Sequence, residues 1–195
     1  MKSVGLYFGS FNPVHFGHLQ IARLAKDQMM LDEVWLVVSP QNPFKENTSL
    51  APEEHRLQIA RLACAQLDKV SVSDLEFHLA KPSYTIHTLR ELTALHPEIA
   101  YHIIMGEDNL KVFHKWKEPE AILDLCELIV YPRLHSAPVI PRELEKYTGR
   151  IHFLSGELLA ISATAIREKI KRGENIDKLV PTPVVDYIKA HNLYA

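Results

Sequence analysis

The sequence predicts an α/β protein built on a doubly wound parallel sheet, with helices on both faces and a small C-terminal helical part. Two observations predict this class: short β-branched runs alternate with longer amphipathic stretches, and a glycine-bounded loop follows the first run. Such alternation favours a parallel sheet, because each crossover helix returns the chain to the same edge and covers one face. The 195 residues fit one domain, 1–195, better than two. Its helical part is expected at about 156–195.

The individual elements follow from hydrophobic periodicity and from residues that begin or end helices. Apolar, β-branched runs predict strands at 4–8, 34–38, 70–75, 100–105, 128–131 and 151–154. Amphipathic stretches predict helices at about 19–29, 52–66, 83–96, 119–126, 162–172 and 182–190. Pro52 and Pro183 suit a first helical turn, Ser162 can cap a helix and Gly173 can end it. The proline-containing segment 132–141 is predicted to be a surface connection.

Composition excludes several classes of protein. With 22 basic and 24 acidic residues, the chain has no general attraction to nucleic acid or to an anionic membrane, so a phosphate ligand needs a local site. Cys64 and Cys126 lie in apolar stretches, which predicts reduced core residues instead of a disulfide or a zinc site. Because neither a signal-like segment nor an apolar run of about 18 residues occurs, we expect a cytoplasmic location and no membrane partner.

The loop after the first strand, GSFNPVHFGH at 9–18, is where a doubly wound sheet is expected to bind a ligand. Gly9 and Gly17 let the backbone approach that ligand, and the imidazoles of His15 and His18 lie at the start of the next helix. Helix N-termini favour phosphate through their unpaired N–H groups and the helix dipole. The His-x-x-His spacing also fits half of a metal site, although no further ligands follow at zinc-like spacing. On spacing alone, a plain structural turn stays open.

Two segments together resemble a known superfamily. Residues 9–18 closely resemble the G-x-F-D-P-x-H-x-G-H signature of the nucleotidyltransferases that include the class I aminoacyl-tRNA synthetases. Near the other end, ISATAIR at 161–167 resembles their second signature, I-S-x-T-x-I-R, which lies on a helix N-terminus and binds ATP phosphates. The correct order and separation of the two signatures argue against coincidence. The resemblance implies a Rossmann-like fold.

The chain as a whole is similar to bacterial nicotinate mononucleotide adenylyltransferases, with further matches at PSYT (82–85), MGED (105–108) and Trp116. This resemblance implies transfer of AMP from ATP to nicotinate mononucleotide, with release of pyrophosphate. It also implies Mg²⁺ as cofactor, carried by the ATP phosphates without a metal ligand from the protein. Homo-oligomers are common in the family, but no residue pattern marks an interface.

The same resemblance implies roles for individual residues. The expected catalytic residues are His15, His18 and Arg167. The expected ATP-binding residues are Gly9, Ser10, Phe11, His15, Gly17, His18, Lys45, Ile161, Ser162, Thr164 and Arg167. The expected nicotinate mononucleotide-binding residues are Ser83, Tyr84, Thr85, Gly106, Asp108 and Trp116. Plain alternatives stay open: Trp116 as an amphipathic anchor, Lys45 and Arg167 as surface charges, and Asp108 as a helix cap.

Two positions depart from the family pattern. Asn12 stands where the signature has Asp, so position 12 can form hydrogen bonds but carries no negative charge. Phe44 stands where many relatives have His just before the residue that corresponds to Lys45. The first departure favours an alternative from another class, a non-catalytic sensor that keeps the fold and binds a dinucleotide to regulate a partner.

Two rival enzymes share both signatures, phosphopantetheine adenylyltransferase and the cytidylyltransferases. The pantetheine enzyme resembles a shorter chain with Thr at the position of His15, and neither rival accounts for residues 83–85 together with Trp116. The helix start predicted after Pro82 offers N–H donors to a pyridine carboxylate. Nicotinate mononucleotide is therefore expected to be preferred over the nicotinamide form.

Overall fold

The computed structural model describes residues 1–40, 50–132 and 139–195. Within these ranges one sheet contains the parallel strands β1 (Lys2–Gly9), β2 (Glu33–Val38), β3 (Val70–Ser73), β4 (Ile99–Gly106), β5 (Glu127–Tyr131) and β6 (Ile151–Phe153). Their order across the sheet is β3-β2-β1-β4-β5-β6. The chain winds outward from β1 to β3, returns to the centre at β4 and winds outward on the other side. This order confirms the predicted doubly wound sheet.

Helices connect the strands and follow the last one. The α-helices are α1 (Phe16–Gln28), α2 (Glu53–Cys64), α3 (Thr85–Leu95), α4 (Glu107–Lys111), α5 (Pro119–Leu125), α6 (Ala163–Lys171) and α7 (Thr182–Ala190). Short 3₁₀ helices lie at Leu75–Phe77, Phe113–Lys115 and Arg142–Arg150. Ser162 caps α6 as predicted, because its Oγ accepts the N–H of Ala165 at 3.2 Å. Gly173, with φ of +66°, follows the end of α6 in the left-handed conformation that glycine allows.

Each face of the sheet carries its own apolar core, because successive strand residues point to opposite faces. In β1, Leu6 packs into one core and Tyr7 into the other. Helices α3, α4 and α5 cover the core that contains Leu6, whereas α1, α2, α6 and α7 cover the core that contains Tyr7. The predicted placement of helices on both faces is confirmed. The C-terminal helices share one face with α1 and α2.

Among the boundaries that differ from the predictions, two bear on the site. The third strand ends at Ser73 instead of 75, because the chain turns at Asp74 into the 3₁₀ helix Leu75–Phe77. Helix α3 begins at Thr85 instead of 83, and Tyr84 is its extended N-cap residue. Periodicity locates an element well but not its ends, which depend on single turns of backbone.

Other expectations concern single residues or segments. Cys64 and Cys126 are buried free thiols, as expected. Within the predicted connection 132–141, residues 133–138 lie outside the described part of the chain, as do Phe44 and Lys45. None of the helices in the described ranges has the length and apolar character needed to span a bilayer.

The carboxyl ends of the central strands meet at one edge of the sheet. Gly9, the last residue of β1, pairs with Val38 of β2, and its carbonyl accepts the N–H of Ser39 at 2.9 Å. On the other side, Gly106 at the end of β4 pairs with Tyr131 of β5. The loops that follow β1, β2 and β4 therefore leave the sheet together, where a doubly wound protein binds its ligand.

Candidate active site

A cleft of about 940 Å³ opens at this edge, between the loop after β1 and the start of α6. Its walls include Tyr7 of β1, Tyr131 of β5 and Asn109 of α4. All the expected ATP-binding residues that the structure describes line it: Gly9, Ser10, Phe11, His15, Gly17, His18, Ile161, Ser162, Thr164 and Arg167. Lys45 lies outside the described residues. The fold thus joins in one cleft two signatures that are far apart in sequence.

The two histidines of the first signature cap the start of α1 reciprocally. His15 is the N-cap residue: its backbone N–H donates to His18 Nδ1 at 3.3 Å, and its own Nδ1 accepts the His18 N–H at 3.4 Å. The same His18 N–H also donates to the His15 carbonyl at 2.9 Å. The rings stack with their centroids 3.6 Å apart. Because each Nδ1 accepts a hydrogen bond, each neutral ring carries its proton on Nε2 and can donate from that atom.

Burial fixes the charge of the first of these rings. His15 is only 5% exposed, and this burial lowers its pKa to about 4. At neutral pH, His15 is therefore an uncharged imidazole. Gly17 leaves room for the ring, because a Cβ at this position would lie 3.0 Å from His15 Nδ1. A Cβ at Gly9 would similarly lie 2.9 Å from the ring of Phe11, so both glycines allow close packing within the loop.

The second signature places another helix start against the same cleft. Residues 162–165 at the beginning of α6 line it, and the Ser162 Oγ accepts the N–H of Ala165. With its oxygen used in the cap, the Ser162 hydroxyl can still donate its proton to a ligand. Helices α1 and α6 thus bring two N-termini to one cleft, an arrangement that favours a polyanion.

Arg167 and Asn12 join the two signatures directly. Arg167, one turn into α6, donates from Nη1 to the Asn12 carbonyl at 2.8 Å, and its Nη2 lies 3.4 Å from Thr164 Oγ1. The Asn12 side chain accepts the N–H of Ala51 at its Oδ1, at 3.1 Å. Position 12 therefore acts here as a hydrogen-bond acceptor, a role that requires no negative charge.

Arg56 of α2 is a site-supporting residue that the sequence analysis missed. It is 1% exposed and donates to four backbone carbonyls: Ala51 at 2.9 Å, Ser10 at 2.7 Å, Ser39 at 2.7 Å and Pro40 at 3.1 Å. Its guanidinium thus ties the first signature to the end of β2 and to the start of α2. The available signal was an arginine on the buried face of this helix, beside Leu57, Ile59 and Ala60.

The residues expected at the acceptor end lie farther along the same edge. Ser83 is buried before α3, Gly106 caps α4, and Asp108 is exposed in the first turn of α4. The described lining of the cleft around the signatures includes none of the six expected acceptor residues: Ser83, Tyr84, Thr85, Gly106, Asp108 and Trp116. Gly106 adjoins its wall, since a Cβ there would lie 3.0 Å from the Tyr131 ring.

Aromatic contacts bring part of this acceptor set together. The Lys117 Nζ lies 4.7 Å from the centre of the Tyr84 ring, which places the start of α3 beside the segment that contains Trp116. The Trp116 ring packs on Phe113 with 5.2 Å between centroids. Arg90 and Glu118 form an exposed ion pair between α3 and the same segment. Tyr84 and Trp116 therefore belong to one neighbourhood.

The described part of the site offers phosphate donors but no carboxylate cage. Across residues 1–40, 50–132 and 139–195, no three His, Cys, Asp or Glu side chains are grouped so as to hold a metal ion. The described residues that line the cleft include no Asp or Glu. The described lining residues therefore supply hydrogen-bond donors that suit phosphate oxygens.

The doubly wound sheet and the paired helix starts define a nucleotide-binding protein of the nucleotidyltransferase class. Comparison with known proteins agrees: the family described as cytidylyltransferase-like matches residues 6–169. By overall structure the chain is similar to a Plasmodium falciparum nicotinic acid mononucleotide adenylyltransferase complexed with NaAD. The TM-score is 0.82 at 23% identity, and the match covers 100% of this chain and 98% of that one.

Relatives found by sequence identify the family within the nucleotidyltransferase class. A probable nicotinate-nucleotide adenylyltransferase of Flavobacterium johnsoniae is 43% identical over 191 residues, which cover 98% of each chain. One from Cytophaga hutchinsonii is 43% identical over 192 residues, again with 98% of each chain covered. The chain belongs to the nicotinate-nucleotide adenylyltransferase family.

Proposed function

We infer that this protein is an enzyme that transfers AMP from ATP to nicotinate mononucleotide, forming nicotinate adenine dinucleotide and pyrophosphate. The observation that best supports this function is that residues of both signatures line one cleft. There, two Nε2–H groups, a guanidinium and two helix N-termini converge. These groups suit the transfer of a nucleotidyl group from a triphosphate. Relatives with nearly complete overlap, named for the same reaction, agree with it.

The chemistry requires positioning more than activation. An oxygen of the acceptor's 5′-phosphate attacks the α-phosphorus of ATP, and the bond from that phosphorus to the pyrophosphate oxygen breaks. The nucleophile is already an anion near neutral pH, so no general base is needed. Catalysis then depends on in-line alignment and on donors to the charge that develops on the α-phosphate and the pyrophosphate.

We assign these tasks to residues of the two signatures. The Nε2–H groups of His15 and His18 donate to the ATP phosphates, and the neutral state of His15 avoids the cost of a buried cation. Arg167, Ser162 and the first amides of α6 hold the outer phosphates. Mg²⁺ bound to the ATP phosphates would supply further positive charge, and Arg167, Ser162 and the α6 amides would hold the phosphates that carry it.

At the other end, we assign the acceptor to the start of α3 and its neighbours. The amides of the first turn of α3 suit a pyridine carboxylate, because Tyr84 is extended and the helix begins at Thr85. Trp116 is half-buried and can cover the ring face, and Asp108 is exposed near the cleft for contacts with ribose or phosphate. In this half of the site, the side chains reach their final arrangement only when the ligand binds.

The deciding experiment is an assay of pyrophosphate release with ATP, Mg²⁺ and one acceptor at a time. Nicotinate mononucleotide should give turnover and the matching dinucleotide by mass, and 4′-phosphopantetheine should give none. CTP in place of ATP should also give none. Binding of the dinucleotide without turnover of any acceptor would favour the sensor, an alternative suggested by Asn12, and would overturn the enzyme.

Other properties stay predictions. We propose that residues 1–195 act as one catalytic unit, since α6 and α7 contribute Ile166, Val184 and Ile188 to the core that α1 and α2 also cover. A cytoplasmic location, a homo-oligomer and the absence of a nucleic-acid partner follow from composition or resemblance alone. Fractionation, light scattering and a gel-shift assay would test them.

A further inference from the structure

The carboxyl group of Glu76 is buried without a cationic partner among the described residues. Glu76 lies in the 3₁₀ helix after β3 and is 2% exposed. Burial raises its pKa, and the groups that act in the opposite direction are hydroxyls, those of Ser39, Thr88 and Ser83. An ionised carboxylate is costly in such surroundings. The contacts therefore describe a polar cluster that suits a neutral acid.

The three hydroxyls come from three separate places in the chain. Thr88 Oγ1, one turn into α3, donates to Glu76 Oε1 at 3.0 Å. Ser39 follows the end of β2, and Ser83 lies two residues before α3 begins. Both serines are buried. Glu76 thus lies where the end of β2, the segment before α3 and the first turns of α3 meet.

Two atoms of this cluster have unused hydrogen-bonding capacity. Within the described residues, Glu76 Oε2 and Ser83 Oγ are both buried without a hydrogen-bond partner. Buried polar atoms are rarely left unpaired, because each costs about 1 to 3 kcal/mol. A protonated carboxyl group can accept from Thr88 at Oε1 and donate from Oε2, so a small movement of Ser83 would satisfy both atoms.

The position of this cluster connects it to acceptor binding. The Tyr84 carbonyl accepts the N–H of Thr88 at 3.4 Å, within the first turn of α3. By holding Thr88 and facing Ser83, the buried carboxyl fixes how that turn is rotated. The direction of the first amides of α3, toward or away from a ligand, depends on this rotation.

We propose that Glu76 is a positioning residue for the acceptor: its buried carboxyl sets Ser83 and the first turn of α3 so that their donors meet the pyridine carboxylate. This inference rests on the proposed function, because it assumes that a pyridine mononucleotide binds there. Glu76 is buried and is not among the described residues that line the cleft around the two signatures. Its loss should weaken acceptor binding and leave ATP binding intact.

The test compares Glu76→Ala, Glu76→Gln and the matched control Glu91→Gln, which changes an exposed carboxylate on α3. Steady-state assays give KM for each substrate, and calorimetry gives Kd for nicotinate mononucleotide alone. Glu76→Ala should raise both acceptor constants about 10-fold, within the roughly 5- to 150-fold range for one unpaired buried donor. Its KM for ATP should change less than about twofold. Glu76→Gln keeps an acceptor and a donor, so it should restore acceptor binding to within about threefold.

Thr88→Val gives a second, milder variant, since it removes one hydroxyl and keeps the shape. It should also raise the acceptor Kd selectively, which keeps the proposal testable if Glu76→Ala does not fold. Equal changes in both KM values, or lower thermal stability with unchanged acceptor binding, would overturn the positioning role. If wild-type protein binds the mononucleotide without turning it over, only the proposed function is contradicted. The effect of the Glu76 variants on the Kd for the mononucleotide would still test the positioning role. Wild-type protein that fails even to bind it would overturn both.

Discussion

The proposed ATP end and the proposed acceptor end of the site are built in different ways. At the ATP end, polar side chains bind protein partners: His15 and His18 bind each other's backbone, Arg167 binds the Asn12 carbonyl, and Arg56 binds four carbonyls. At the proposed acceptor end, ring packing around Tyr84 and Trp116 dominates. The buried cluster beneath it contains two polar atoms that have no hydrogen-bond partner within the described residues.

This difference indicates how each half recognises its ligand. In the proposed ATP half, the donors already have protein partners, so we expect them to lose little freedom when ATP binds. The acceptor half relies on a helix start whose orientation depends on one buried cluster. Changes at the ATP end should therefore affect turnover most, whereas changes at the acceptor end should affect discrimination between ligands.

The largest effect is expected for His18→Ala, which removes an Nε2–H donor from the organised half. Turnover should fall by about 10²-fold or more, the scale for loss of one transition-state donor. The variant also loses the ring that accepts the His15 N–H, but α1 keeps its other contacts. Stopped assays of pyrophosphate release measure the effect, with circular dichroism to check folding. Near wild-type turnover in a folded variant would remove His18 from the mechanism.

His15 should make stability depend on pH. Its folded-state pKa is about 4, below the ordinary value of 6.5, so between these values the unfolded chain binds a proton that the folded protein does not. Stability therefore falls as pH decreases through this window, by about 3 kcal/mol in total, and is fully present above pH 6.5. Urea unfolding at pH 7, 5.5 and 4.5 measures the change.

The matched variant for this pH dependence is His15→Asn. Asparagine can still cap α1 but does not titrate, so its stability should fall less with decreasing pH. The difference between the two proteins isolates this ring from other buried groups, such as His102, whose pKa burial also lowers. Parallel pH profiles for the two proteins would show that folding does not lower the pKa of His15.

At the acceptor end, nicotinate mononucleotide should be preferred over the nicotinamide form. A carboxylate is negative and acceptor-only, so it satisfies several donors and the positive end of α3, whereas an amide NH₂ would face those donors. One unpaired buried donor corresponds to a preference of about 5- to 150-fold. The ratio of kcat/KM at saturating ATP measures it. Equal values for the two substrates would overturn the assignment of residues 83–85.

A smaller effect is expected for Arg167→Ala, which should raise the KM for ATP about tenfold and lower kcat, with less change in acceptor KM. Guanidinium suits polyphosphate geometry, and its hydrogen bonds to charged groups are worth about 1.5 to 3 kcal/mol. Arg167→Lys is the control, because lysine keeps the positive charge but lacks the paired N–H donors of the planar guanidinium. Unchanged ATP kinetics combined with a collapse of acceptor binding would reverse the assignment of the second signature.

Sequence alone predicted the doubly wound sheet and the signature residues that the fold brings into one cleft, because both predictions depend on local patterns. Strand and helix periodicity, and the two short signatures, are visible without knowing which residues meet. Glu76 and Arg56 could not be assigned in this way: each is one charged residue in an ordinary segment, and its role appears only when burial and long-range contacts are known. The same holds for Asn12, which the pattern presented as a departure and the structure shows accepting the Ala51 N–H.

The smallest effect is expected for Asn12→Asp, the change to the residue of the family signature. Asn12 is 4% exposed, and its Oδ1 already accepts the Ala51 N–H at 3.1 Å while its carbonyl accepts from Arg167. Aspartate keeps an acceptor at this position, and the guanidinium beside it offsets part of the cost of burying its charge. Turnover should therefore change less than about threefold, whereas Asn12→Ala, which leaves the Ala51 N–H unpaired, should destabilise the fold by about 1 kcal/mol or more. Kinetics and urea unfolding of the two variants separate these outcomes. A large gain in turnover for Asn12→Asp would mean that the negative charge itself takes part in catalysis, and the organised half of the site would then lack a group that its relatives use.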